Sequence, residues 1–71
     1  MDENLVIKNK LKYFRRVCSD LTQEELASAA GCTRQTIAAL EKGTYNPSLG
    51  LALRIARVLG VSVDELFCLD E

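Results

Sequence analysis

Thr33, Arg34, Gln35 and Thr36 follow one another in the run CTRQTIAAL, residues 32–40, which places two long planar hydrogen-bonding side chains between two hydroxyls. A guanidinium offers a fork of donors and a primary amide offers a donor beside an acceptor, so Arg34 and Gln35 suit edge-on recognition of a planar partner. Catalysis has less to work with. The chain contains no histidine, so the most frequent general base is missing, and it shows no cluster of Cys or carboxylate ligands. Cys18, Cys32 and Cys68 are odd in number and form no C-x-x-C pair. All three read as reduced thiols serving as small apolar fillers, not as a disulfide framework or a zinc site. Cys32 carries one functional alternative, a redox switch, because a thiol near a helix amino terminus has a lowered pKa. Its inward position favours packing. These residue types point to binding, with no enzyme activity, metal, cofactor or small-molecule ligand expected.

Such side chains need a frame, and 71 residues form one small domain, 1–71, with a thin core that a second subunit would supplement. The amino terminus lacks the basic region and apolar run of a signal peptide, and no stretch approaches a membrane span, so a soluble, cytoplasmic protein is expected. The net charge of −1 argues at first against a nucleic-acid partner. Its distribution argues the other way: seven basic and four acidic residues lie between Lys8 and Pro47, while Asp2, Glu3, Asp64, Glu65, Asp70 and Glu71 crowd the ends. A dipolar surface holds a basic patch despite a nearly neutral total.

Helical periodicity dominates from Asn9 onward. Asn9 is placed to cap a first helix whose stripe is Leu11, Phe14 and Cys18. Thr22 and Glu25 form a capping box for the second, which Gly31 ends. Thr33 caps a third helix with Ile37 and Leu40 inward, stopped by Gly43. After the loop TYNPS, Ser48 caps a fourth that buries Leu51, Ala52, Ile55, Val58 and Leu59 up to Gly60. Ser62 and Glu65 repeat the capping box for a short fifth helix carrying Leu66 and Phe67. The run LVI before Asn9 and the closing FCLDE have the character of a two-stranded ribbon joining the termini, a pair that needs packing or a second subunit to persist.

From Gln23 to Leu40 the spacing is that of two short helices crossing steeply. Ala27 is small where their backbones approach, Gly31 tolerates positive φ in the bend, and Leu26, Cys32, Ile37 and Leu40 lock the second helix across the first. The outward turn is then Arg34-Gln35-Thr36. Here the sequence resembles the helix-turn-helix regulators of the phage repressor and Cro class, the XRE family, over about Leu11 to Phe67. LTQEELA, TRQTI..LE.G, YNPSL and LGVSVDELF occur in that order. The resemblance implies an all-α, five-helix repressor-like DNA-binding domain with its motif at about 22–42. It also implies a sequence-specific transcriptional regulator, nucleoid-associated when bound to double-stranded DNA. Carried over by position, Arg34, Gln35 and Ala39 face bases, and Gln23, Thr33, Thr36, Lys42, Thr44, Tyr45 and Asn46 face the DNA backbone. The chemistry agrees: Arg forks to guanine O6 and N7, Gln to adenine N6 and N7, and an alanine offers only apolar contact to a thymine methyl.

Members of that family commonly show L-x-x-L-R in the first helix, the arginine pairing with a glutamate late in the recognition helix. Leu11, Phe14 and Arg15 fit, with Glu41 as partner, whereas counting back from Gln23 lands on Arg16. The disagreement implies one extra residue in the turn VCSD. Arg15 borders the apolar stripe and Arg16 points away from it, which selects Arg15 for the buried pair. A homodimer reading a pseudo-palindromic operator as a repressor is expected, with Leu5, Ile7, Leu53, Phe67 and Leu69 as its interface. A second reading, from a different class, is a protein-interaction module such as an antitoxin, with DNA binding secondary.

Overall fold

Asn9 ties the ends of the chain to its centre. Its Oδ1 accepts the Leu11 amide at 3.1 Å, opening the first helix, and its Nδ2 donates to the Leu40 carbonyl at 2.7 Å, satisfying an acceptor late in the third helix. The computed structural model describes residues 6–70. They run β1 (Val6–Asn9), α1 (Leu11–Tyr13, prolonged by a wider turn at Phe14–Cys18), α2 (Gln23–Ala30), α3 (Arg34–Lys42), α4 (Leu49–Leu59), α5 (Val63–Leu66) and β2 (Phe67–Asp70).

The ribbon expected between the termini is present: β1 and β2 pair antiparallel, Ile7 opposite Leu69 and Asn9 opposite Phe67. The pairing reaches into the bundle through the Lys10 amide, which donates to the Leu66 carbonyl at 2.8 Å. The fifth helix is shorter than its sequence pattern, because Phe67 already has extended dihedrals and starts β2.

Caps fix the helix starts. Thr22 with Glu25 and Ser62 with Glu65 form full capping boxes, and the Thr33 and Ser48 side chains accept the Thr36 and Leu51 amides. Gly31, at φ 77°, makes the left-handed bend between α2 and α3 that an L side chain would strain. The core is one cluster drawn from every helix: Leu11, Leu26, Ile37, Leu40, Ile55 and Leu66 are its largest fully buried members. Ala27, 2 % exposed, leaves the room for α2 to cross α3. In α4 the half-buried Val58 gives place to a buried Ala56.

Two expectations about the first helix need correction. The extra residue is taken up partly inside the helix, before the bend: Ser19 N–H donates to Phe14 C=O at 3.0 Å, an i to i+5 bond, and the Leu21 amide closes a still longer loop onto the Arg15 carbonyl at 2.9 Å. The widened turn ends the inward stripe early, so Cys18, expected inside, is exposed. Cys68 is exposed too, since it lies opposite Lys8 on the ribbon face turned away from the core-packed Phe67. Only Cys32 packs against the core.

Candidate nucleic-acid interface

A buried ion pair ties the last turn of α3 to α1. Arg15, 6 % exposed, donates through Nε to Glu41 Oε2 at 2.5 Å and through Nη2 to Oε1 at 3.1 Å, while its Nη1 donates to the Leu21 carbonyl at 2.8 Å. The fork therefore clamps three elements: α1, the α1–α2 bend and the end of α3. Arg16 is exposed, as its place off the stripe requires. Burial pushes the Glu41 carboxyl up, but hydrogen bonds from Arg15 and Gln23 and the charges of Arg15 and Lys12 outweigh it and hold the group below its ordinary value.

From this pair a polar chain leads to the surface. Gln23 Nε2 donates to Glu41 Oε1 at 3.1 Å, and Gln23 Oε1 accepts from Arg34 Nη1 at 3.5 Å, a long contact. Gln23, assigned to the DNA backbone from sequence, is thus half-buried and holds one end of Arg34. Arg34 itself is exposed on the first turn of α3, beside an exposed Gln35.

Arg34 and Gln35 face different walls. Arg34 shares a groove with Gln23, Lys12 and Arg16. Gln35 shares another with Thr33, Thr36, Ala39, Thr44 and Tyr45, so six of the expected residues line one shallow surface. Thr33 and Thr36 are less free than their sequence positions imply: Thr33 Oγ1 accepts the Thr36 amide at 3.1 Å and lies 2.9 Å from Thr36 Oγ1. Their hydroxyls build the cap first. The half-buried Ala39 presents a methyl at the floor, and the Ala39 carbonyl accepts from the Thr44 amide at 3.1 Å and the Thr44 hydroxyl at 3.3 Å, which folds the loop back over α3. Lys42, Thr44, Tyr45 and Asn46 are all exposed along that edge.

Of the other expected residues, Leu53 and Leu69 are 53 % and 52 % exposed, Ile7 is half-buried, and Leu5 lies outside the described residues. Phe67 packs against the core, so most of its surface is already used within one chain. Two contributors carry no sequence signature as a site: Lys12, which lines the Arg34 groove, and Arg54, whose Nε donates to the Ala30 carbonyl at 2.8 Å and closes the end of α2. Arg54 was legible only as a surface cation on α4. Desolvation raises the Cys32 thiol above its ordinary value, against a smaller opposing pull from Arg54, so the thiol is protonated near neutral pH and is poorly suited to a redox switch. Among the described residues no group of three or more Cys, Asp or Glu is arranged to hold a metal ion, and no helix is long and apolar enough to cross a membrane.

Two helices joined through a left-handed glycine, the second carrying exposed Arg and Gln on its first turn over a buried foundation, define a helix-turn-helix protein. The chain belongs to the helix-turn-helix family of DNA-binding transcriptional regulators, whose family model matches residues 11–66. It is 51 % identical over 65 residues to an uncharacterized helix-turn-helix transcriptional regulator of Methanocaldococcus jannaschii, covering 92 % of this chain and 97 % of that protein. It is 43 % identical to a cryptic-phage transcriptional repressor of Vibrio cholerae, over 72 % of this chain and 46 % of that one. A solved structure, the restriction-modification controller protein of Aeromonas hydrophila, superposes with a TM-score of 0.71 at 33 % identity, over 78 % of each chain.

Proposed function

We propose that this regulator is a repressor that reads a pseudo-palindromic operator as a homodimer, with Arg34 and Gln35 touching base edges. The observation that carries the reading is the exposure of both side chains on the first turn of a helix whose last turn is tied to α1 by the Arg15–Glu41 pair, with Gln23 linking that pair to Arg34 through a long contact. The Arg34 guanidinium offers guanine O6 and N7 a two-pronged donor. Ala39 adds an apolar contact for a thymine methyl. Lys42, Tyr45 and Asn46 hold the sugar-phosphate backbone, and Thr33, Thr36 and Thr44 contribute where their hydroxyls have a lone pair or proton to spare. The repressor sense follows the likeness to the Vibrio cholerae cryptic-phage repressor.

The dimer uses the exposed Leu53, which borders a groove between α4 and α5 whose walls include Val61 and Val63 with Arg57 and Asp64. A protruding apolar residue beside an apolar groove, with both charge signs on its walls, is the self-complementary pattern a two-fold interface needs. Leu69, exposed, and Ile7, its cross-strand partner, contribute further apolar surface on the ribbon. Selection of bound duplexes from a random DNA pool tests the whole reading. An enriched motif with two-fold symmetry is the expected result, and a pool that stays random contradicts it.

A further inference from the structure

The Arg34 groove has a second wall that the base-reading account leaves unused. Lys12 and Arg16 stand one helical turn apart on α1, both exposed, and both line the groove that holds Arg34 and Gln23. Neither makes an ion pair among the described residues. Like charges at this spacing repel, and no acidic residue on α1 relieves them. Arg15, between them in sequence, is neutralised by Glu41. Three cations therefore face the groove, Lys12, Arg16 and Arg34, with Glu24 the one lining carboxylate. The charge of Lys12 is already felt at Glu41, within the network behind the recognition turn.

We propose that Lys12 and Arg16 form a DNA-phosphate clamp on α1, gripping the backbone strand on the Arg34 side of the major groove. The clamp rests on the DNA-binding reading above and adds a rim to it. The loop wall at Thr44 and Tyr45 lies on the Gln35 side of the recognition turn, and the α1 wall lies on the Arg34 side. A helix end seated in a major groove about 12 Å wide has a phosphate strand on each flank. One flank meets the loop and the other meets Lys12 and Arg16. Continuity with the base-reading residues and the excess of positive charge select a polyanion that runs past Arg34, which a duplex backbone does.

Affinity for a duplex of arbitrary sequence, measured by fluorescence anisotropy at several salt concentrations, tests the clamp without knowledge of the operator. Lys12→Gln and Arg16→Gln are each expected to flatten the dependence of log K on log salt by about 0.9 per subunit, and the double variant by twice that. Arg16→Lys keeps the charge and is expected to keep the wild-type slope. Circular dichroism checks that all variants remain folded. If wild-type protein binds DNA and the double variant keeps its slope, the clamp is overturned and the DNA-binding reading survives. If wild-type protein binds no duplex, both are overturned. Lost affinity at an unchanged slope also counts against the clamp, since it reports a structural effect and no released counterion.

Discussion

Arg15 is the residue on which sequence and geometry meet most closely. Two counts from neighbouring motifs nominated adjacent arginines, and the period of the apolar stripe chose between them; Arg15 is buried against Glu41 and Arg16 lies in solvent. Glu41, whose side chain is 5 % exposed in the pair, keeps only Gln23 as a donor in Arg15→Ala, and Glu41→Ala leaves the guanidinium uncompensated. Each is expected to cost about 3–5 kcal/mol in a denaturant melt, with Arg16→Ala close to neutral. Sensitivity at Arg16 instead would contradict the assignment. The pair also sets an acid limit. Because the folded Glu41 carboxyl titrates below its ordinary value of 4.5, its contribution is complete above that pH and is lost as pH falls through the lower folded value. A Glu41→Gln variant should show a shallower loss of stability on acidification. The thiols separate by environment: neutral-pH alkylation followed by mass spectrometry is expected to label Cys18 and Cys68 well before Cys32. The exposure of Cys18 was illegible beforehand because it depends on a widened turn that no local residue type announces.

At the scale of elements, the punctuation was legible and the winding was not. Thr22, Thr33, Ser48 and Ser62 opened helices because each offers an oxygen to an orphan amide, and Gly31, Gly43 and Gly60 closed them in left-handed geometry. These are local interactions that residue type alone determines. The wide turn at Phe14–Cys18 has another origin. Leu11 and Arg15 must both face the core while the chain still reaches Thr22, and only the packed bundle imposes that pair of conditions. Part of the slack is taken by Asp20, the one described non-glycine residue with positive φ, at 52°. Asp20→Val is expected to destabilise by about 1–2 kcal/mol relative to Asp20→Gly in thermal or chemical melts, since a β-branched residue resists this region. Equal stability of the two variants would show that the bend relaxes freely. Phe67 illustrates the same boundary between local and global control. Its helical pattern yielded to ribbon pairing opposite Asn9, a partner far away in sequence.

For the whole molecule, the apolar residues left over after the core is filled were legible as a group, but their partners were not, because an interface is fixed by shape across two chains. Leu53 and Leu69 remain exposed, whereas Phe67 turned inward. Leu53→Glu is expected to shift sedimentation in the micromolar range from dimer to monomer, and a wild-type protein that sediments as a monomer there would remove this interface. In the dimer, the two copies of α3 are expected about 34 Å apart, one turn of B-DNA.

The most direct test of the central claim, that the first turn of α3 reads sequence, compares Arg34→Ala with Lys42→Ala on matched and mismatched duplexes of the selected operator. Arg34→Ala is expected to cost roughly 1–3 kcal/mol on the matched duplex and to relax preference at one base pair per half-site. Lys42→Ala is expected to weaken matched and mismatched binding alike and to flatten the salt dependence. If Arg34→Ala weakens every duplex equally, the arginine holds phosphate and does not read, and the account fails at its centre.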